Sequence, residues 1–310
     1  MEGSQPVLFV SAETLPEAFT KTLRAVWENG YDIATEYDRS GDPPSKDATV
    51  MIEIQDPLAE PRFHMYGGPA DMVELEIYRL EVVHGVHDHW VDRHGERDER
   101  LWRYSYHERL FAYNSGDDTT VNQIERVIQK MVDTPSLYSR RFNVITWIPG
   151  IDPDLGDPPC LQRLHFRWLP GKDGTWVLNM NSDWRSRDLL KAWYMNAWAI
   201  TDIQRFVAKK VGELRGIKTQ VGRYVDKADS LHIYGSYFDG AGSVEMVLKK
   251  LEQETPEQMY VDSSGFADQM IQARHLVAAQ LESERRTGSK GYVLPEIDEK
   301  TFPYPEEWDF

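Results

Sequence analysis

Apolar residues recur along the chain at two spacings, and these divide it into strands and helices. Residues 7–10 form a short β-branched and aromatic run, and 48–55 alternates through Val50, Ile52 and Ile54 until Asp56-Pro57 ends it, so both predict strands. Between them Thr14-Leu15-Pro16-Glu17 offers an N-cap and a proline just inside a helix that reaches about Trp27, with Phe19, Leu23 and Val26 at helical spacing. The same spacing predicts helices over 70–84, through Met72, Leu75, Tyr78 and Val82, and over 121–132, through Ile124, Val127, Ile128 and Met131. A strand is predicted over 142–147. The segments 161–168 and 176–181 alternate on either side of Gly171-Lys172-Asp173-Gly174 and predict a hairpin. The longest helix is expected over about 189–211, where Leu189, Leu190, Trp193, Ala197, Ile200, Ile203 and Val207 form a wide apolar stripe. A short strand at 230–234 and helices near 243–254 and 264–284 follow, and the acidic, proline-rich segment 294–310 is expected to strap the surface.

Strands and helices interleave with no internal repeat and no long linker, which predicts one α+β domain spanning residues 1–310. No apolar run approaches the length of a membrane span, and residues 1–6 lack the basic-then-apolar order of a signal peptide, so a cytoplasmic protein is expected. The single cysteine agrees with a reducing compartment. A net charge of −16 argues against a broad DNA-binding surface, which needs clustered Lys and Arg. It leaves room for a small anion, because a few arginines in one cleft hold a phosphate through close bidentate contacts.

The one cysteine, Cys160, follows Asp157-Pro158-Pro159 at the mouth of the predicted hairpin. A lone cysteine is either a small buried hydrophobe or a thiol with chemistry to do. Two prolines fix the backbone before it, and Arg140-Arg141, Arg185 and His232 are cations able to favour a thiolate or bind an anion beside it. Arg39, in the polar loop 35–44, is either a solvated charge or a phosphate ligand. Asn196 lies among the apolar residues of the longest helix, where its amide needs partners, either backbone or a ligand's amide edge. The histidines His84, His87 and His89, with His94 soon after, are the one stretch where a metal could be suspected, but their spacing matches no standard zinc pattern.

Taken in order, Ser139-Arg140-Arg141, Pro158-Pro159-Cys160, Arg185-Ser186-Arg187-Asp188, Asn196 and Ser230-Leu231-His232-Ile233-Tyr234 resemble the thymidylate synthase and pyrimidine nucleotide hydroxymethylase family, over about residues 27–238. Leu161-Gln162 and Asn196-Ala197 look like the archaeal-type synthases. Glu74-Leu75-Glu76-Ile77-Tyr78 and the 230–234 motif look like the phage deoxycytidylate hydroxymethylase. The chain departs from the family at Ser230, where an aspartate is usual, and in Glu306-Glu307-Trp308-Asp309-Phe310, which does not match the hydrophobic tail that closes over folate in bacterial synthases.

The resemblance implies a mixed sheet with packed helices and a homodimer formed through a sheet face. By matching position it implies Cys160 as nucleophile, with Glu74 as general acid/base and Asn196, Tyr106 and Asp188 as further catalytic residues. Arg39, Arg140, Arg141, Gln162, Arg185, Ser186, His232 and Tyr234 become nucleotide ligands, Arg140 and Arg141 reaching the neighbouring subunit's site. Trp90 and Asp188 become contacts of the co-substrate 5,10-methylenetetrahydrofolate, and no metal is expected. The implied chemistry is attack of the thiolate at pyrimidine carbon 6, which makes carbon 5 nucleophilic toward the one-carbon unit. Quenching by water gives a hydroxymethyl group, and quenching by hydride gives a methyl group. The altered tail favours water; Asn196 suits the imide edge of uracil and keeps thymidylate synthesis open. A catalytically silent nucleotide- or RNA-binding homologue is the reading from a different class.

Overall fold

The computed structural model describes residues 3–68, 71–92, 101–114, 119–240 and 242–309. Helix α1 (Leu15–Asn29) begins where its cap predicts: Thr14 Oγ1 accepts from the Glu17 backbone N–H at 3.5 Å, and Pro16 lies in the first turn. It connects β1 (Val7–Ala12) to β2 (Tyr31–Ile33) and β3 (Ser45–Ile54). After β4 (Phe63–His64), helix α2 (Met72–His84) is capped by Asp71, which accepts from the Glu74 N–H, and is stopped by Gly85 in the left-handed region at φ 63°. A Cβ there would lie 2.2 Å from His107 Nδ1, so glycine is required twice over.

Next come α3 (Tyr106–Phe111), β5 (Tyr113–Asn114), β6 (Thr120–Val121), α4 (Gln123–Asp133) and β7 (Asn143–Ile145). The expected hairpin is β8 (Leu161–Pro170) and β9 (Trp176–Trp184), followed by β10 (Arg187–Asp188), α5 (Trp193–Arg215) and β11 (Thr219–Ile233). Helices α6 (Val244–Gln253), α7 (Pro256–Met259) and α8 (Ala267–Thr287) follow, with β12 (Tyr260–Val261) paired to β4.

Among the described residues eight strands make one mixed sheet in the order β1-β3-β11-β9-β8-β7, with β2 on β3 and β10 on β11. Strand β11 runs antiparallel to β3 and parallel to β9, so the sheet is mixed at its centre. Helices α1 and α5 cover one face, where Phe19, Trp193, Trp198, Ile203 and Val207 are buried with Val50, Ile52, Met180 and Tyr224. This is an α+β fold, and among the described residues no helix is long and apolar enough to cross a membrane.

Three expectations change. Strand β11 has 15 residues, not the five at 230–234, because its central part alternates charged with apolar residues and is broken by Gly222. At Gly222 a Cβ would meet Val177 Cγ1 at 2.5 Å, and the register shifts between Val221 and Tyr224. Helix α5 starts at Trp193 rather than Leu189, because Arg187 and Asp188 pair with Leu231 and His232 and hold the chain extended. The strand predicted over 142–147 is reduced to Asn143–Ile145. The C-terminal segment does strap the surface, anchored by a buried indole: Trp308 packs with Leu80, Val86 and Val277, and its carbonyl accepts from Arg79 at 2.7 Å.

The α1–α5 contact gives a test of the core. Phe19 is fully buried, edge-on to His64 at 4.9 Å and to Tyr194 at 5.9 Å between ring centroids. Phe19→Ala is expected to cost about 3–5 kcal/mol, read as a lower urea midpoint at unchanged slope; an unmoved midpoint contradicts this packing.

Candidate active site

The backbone before β8 turns through Pro158 and Pro159 and places Cys160 at the edge of a cavity of about 750 Å³. Arg185, at the end of β9, closes this turn. Its backbone N–H donates to the Cys160 carbonyl at 2.9 Å, its Nε donates to the Pro159 carbonyl at 3.0 Å, and its Nη2 donates to the Pro158 carbonyl. Neither proline has an N–H of its own, and the guanidinium takes up both their carbonyls. Gln162 folds back on the same turn, donating to the Pro159 carbonyl at 2.8 Å, and does not line the cavity.

Arg187, two residues on, is fully buried. Its Nη1 donates to Asp226, its Nη2 donates to the Trp193 carbonyl at 3.1 Å, and its guanidinium lies 3.7 Å from the Trp184 ring centroid. Asp226 also accepts from Tyr224 Oη at 2.8 Å. Both arginines favour the thiolate of Cys160, as does a hydrogen bond with Tyr106. Burial is the larger effect and, with the Asp157 carboxylate, holds the thiol above its ordinary value. Tyr106 heads α3, whose cap Ser105 accepts from the Glu108 N–H at 2.9 Å; burial raises its phenol well above the usual range.

The far wall comes from α2, α5 and β11. Asn196 Nδ2 donates to Tyr78 Oη at 2.5 Å, and both residues line the cavity. His232 is buried at the end of β11, edge-on to Tyr234 at 4.5 Å, and among the described residues its Nε2 has no hydrogen-bond partner. Burial lowers its pKa, against the opposing pull of Asp188 and Asp47. Asp188, raised by burial, accepts from the Lys191 N–H at 2.9 Å. Ser186 completes this wall.

The fold therefore gathers Cys160, Tyr106, Arg185, Ser186, Asp188, Asn196, His232 and Tyr234 around one cavity. The other expected residues lie elsewhere. Arg39, Arg140 and Arg141 are exposed and off the wall. Glu74 is exposed in the first turn of α2, on an adjoining cavity of about 670 Å³. Trp90 stacks on His87 at 3.9 Å and donates to Glu284 at 3.2 Å; the indole on the wall is that of Trp102. His87 pairs with Glu81 at 2.8 Å and His89 with Glu284 at 2.5 Å. Among the described residues no three potential ligands converge on a metal position, and His94 lies outside the described residues. Sequence reasoning passed over Arg187, Trp102 and Glu81. Only the placement of Arg187 inside the 185–188 motif signalled one of them.

The family model described as thymidylate synthase matches residues 74–278. The chain belongs to the thymidylate synthase family. Among relatives, a protein of Methanocaldococcus jannaschii named "Putative thymidylate synthase" is 28% identical over 233 residues, covering 74% of this chain and 91% of its own. A protein of the same name from Methanosarcina mazei is 26% identical over 244 residues, covering 77% and 94%. The thermostable thymidylate synthase A of Bacillus subtilis superimposes with a TM-score of 0.52 at 16% identity, covering 78% of this chain and 85% of that one, which is a likeness of fold. Membership of the thymidylate synthase family makes the protein a one-carbon transferase.

Cys160 is the chain's single cysteine, so its titration can be read directly. Iodoacetamide capture of the ligand-free protein is expected to keep rising through the pH at which an ordinary thiol levels off. Arg185→Ala should move that profile further up, and Asp157→Asn should move it down, because the first removes a cation and the second an anion beside the sulfur. A profile at or below that of a free thiol contradicts the burial argument.

Proposed function

We propose that the protein transfers a one-carbon unit from 5,10-methylenetetrahydrofolate to carbon 5 of a pyrimidine nucleoside 5′-monophosphate and quenches it with water, giving a hydroxymethyl group. The observation that carries this reading is the convergence of Cys160, Asn196 and His232 on one cavity, from three separate elements. The thiolate of Cys160 adds at carbon 6, and the ring π pair moves toward carbon 5 and the carbon 4 substituent. Asn196 presents an amide to the base edge while Tyr78 takes one of its hydrogens. His232, with Nε2 open, suits a sugar hydroxyl, and Tyr234 stands beside it.

The adjoining cavity fits the co-substrate. It is walled by Met65, Ile77, Leu190, Met195, Met246 and Val247 and shares Tyr78, Glu81 and Met195 with the first, so a flat ring there abuts the pyrimidine. When bound, the folate supplies a carbon at the oxidation level of formaldehyde. Water as the final reagent is supported by the C-terminal segment: Trp308 and Asp309 are held by Arg79 and Arg274 on the face of α2 opposite the cavity. Thymidylate synthesis is the second reading, favoured by Asn196 and by the names of the relatives.

Charge supports a homodimer. Three guanidiniums, Arg103, Arg185 and Arg187, face four carboxylates, Glu36, Glu81, Asp157 and Asp188, so one protomer's cavity is a poor phosphate trap. Exposed Arg140 and Arg141, just before β7 at one edge of the sheet, suit a neighbour's site, and the sheet face away from α1 and α5 leaves Phe9 and Met51 uncovered toward the other edge. We read the described chain as a single catalytic domain.

Incubation with methylenetetrahydrofolate and dUMP, dCMP, UMP or CMP is expected to add the mass of a hydroxymethyl group; a methylated product with rising dihydrofolate absorbance selects the second reading. Cys160→Ala should abolish product while nucleotide still binds. Mixing inactive Cys160→Ala with inactive Arg140→Ala/Arg141→Ala should restore about a quarter of the sites if subunits exchange at random in a two-fold dimer. No recovery after verified exchange contradicts the shared site.

A further inference from the structure

Helix α2 carries one polar stripe at helical spacing, Glu74, Tyr78 and Glu81, and the two cavities sample it differently. Glu74 lines the adjoining cavity alone. Tyr78 and Glu81 line both, so the stripe enters the Cys160 cavity only in its second half. Tyr78 is the residue bonded to Asn196, which puts the base-reading amide one helical turn from Glu81.

Glu81 is held. Its Oε1 meets His87 Nδ1 at 2.8 Å, and its side chain keeps 19% exposure toward the cavities. His87 follows the Gly85 turn and is 3% exposed; its ring stacks on Trp90 at 3.9 Å and 8° and stands edge-on to Trp102, the cavity's indole, at 6.0 Å. A buried, stacked imidazole facing a carboxylate fixes the carboxylate's direction. The other carboxylates of the wall are less suited. Asp157 is 78% exposed beside Arg185, Asp188 is engaged with the Lys191 N–H, and Glu36 lies in the exposed 35–44 loop.

We propose that Glu81, oriented by His87, is the carboxyl group that gives a proton to carbon 5 of the pyrimidine and takes one from it. This rests on the reading of Cys160 as the nucleophile at carbon 6. Even without folate, the step balances. The thiolate adds at carbon 6, the displaced π pair takes a hydron from the Glu81 carboxyl at carbon 5, and the carboxylate then removes the original hydrogen. That C–H pair reforms the 5,6 double bond as the sulfur departs with its own pair. In D2O the net change is hydrogen for deuterium at carbon 5, with no oxidant or co-reactant. Glu81 is then a catalytic residue and His87 a positioning residue.

The test is loss of the H5 proton NMR signal from dUMP, dCMP, UMP and CMP in D2O without folate, with product formation measured in parallel. The wild-type protein is expected to exchange at least one nucleotide and Cys160→Ala none. Glu81→Gln should lose about 100-fold in exchange rate at saturating nucleotide, with nucleotide affinity held, and its loss should exceed that of Glu74→Gln at least about tenfold. His87→Phe keeps the stack but not the donor and should lower the exchange rate without raising KM, and His87→Asn should restore part of it. A Glu81→Gln protein exchanging within about threefold of wild type, or a greater loss in Glu74→Gln, overturns the inference while product formation by the wild type keeps the proposed function intact. A wild-type protein giving neither exchange nor product overturns the thiolate reading beneath both.

Discussion

The site depends on one buried charge pair. Arg187 and Asp226 lie on β10 and β11, both out of water, and Tyr224, Ser182 and Trp184 extend the pair into β9 through hydrogen bonds of 2.6–2.8 Å. Taking two charges into the interior is costly, and removing one partner of such a pair typically costs about 3–5 kcal/mol because the other is stranded. The same guanidinium bonds the Trp193 carbonyl at the first residue of α5. A cation that favours the thiolate is thus also the fastener joining the cysteine's strand neighbours to the helix that presents Asn196.

That fastening explains how the thiol can be raised although two arginines stand near it. Arg185 has turned its donors onto the Pro158 and Pro159 carbonyls, and Arg187 is matched by Asp226. Neither is free to close on the sulfur, so desolvation prevails in the ligand-free protein. The arrangement favours a protected thiol at rest. Further positive charge close to the sulfur, or exclusion of Asp157 from it, shifts the balance toward the reactive anion.

Much of this was legible in the sequence, for reasons that are local. Thr14, Pro16 and the stripe Phe19, Leu23 and Val26 specify α1 within one stretch of chain, and Pro158-Pro159-Cys160 fixes the loop at the mouth of β8. What was missed is decided at a distance. Nothing local in Arg185-Ser186-Arg187-Asp188 marks Arg187 as buried, and its partner Asp226, 39 residues on, is brought to it only by the fold. Trp90 and Trp102 are equivalent as letters. Glu284, 194 residues from Trp90, draws that indole off the wall and leaves Trp102 on it. Strand β11 hid because a central strand with one face on α5 and one face open mixes Tyr224 and Ala228 with Arg223 and Lys227, and the eye takes the charges for a loop.

Helix α2 shows why the tail and the site belong to one argument. Its back face carries Glu76, which accepts from Arg79 and from Arg274, while Arg79 also holds the Trp308 carbonyl. Its front face carries Tyr78 and Glu81. A segment seated on the back cannot at the same time cover the front, so its contribution is to stop the helix from rolling. Rolling by even part of a turn would carry Tyr78 away from Asn196. The buried pairs of Arg79 and Arg274 with Glu76 thus do on the back of α2 what the Tyr78–Asn196 bond does on its front, and together they fix the helix from both sides.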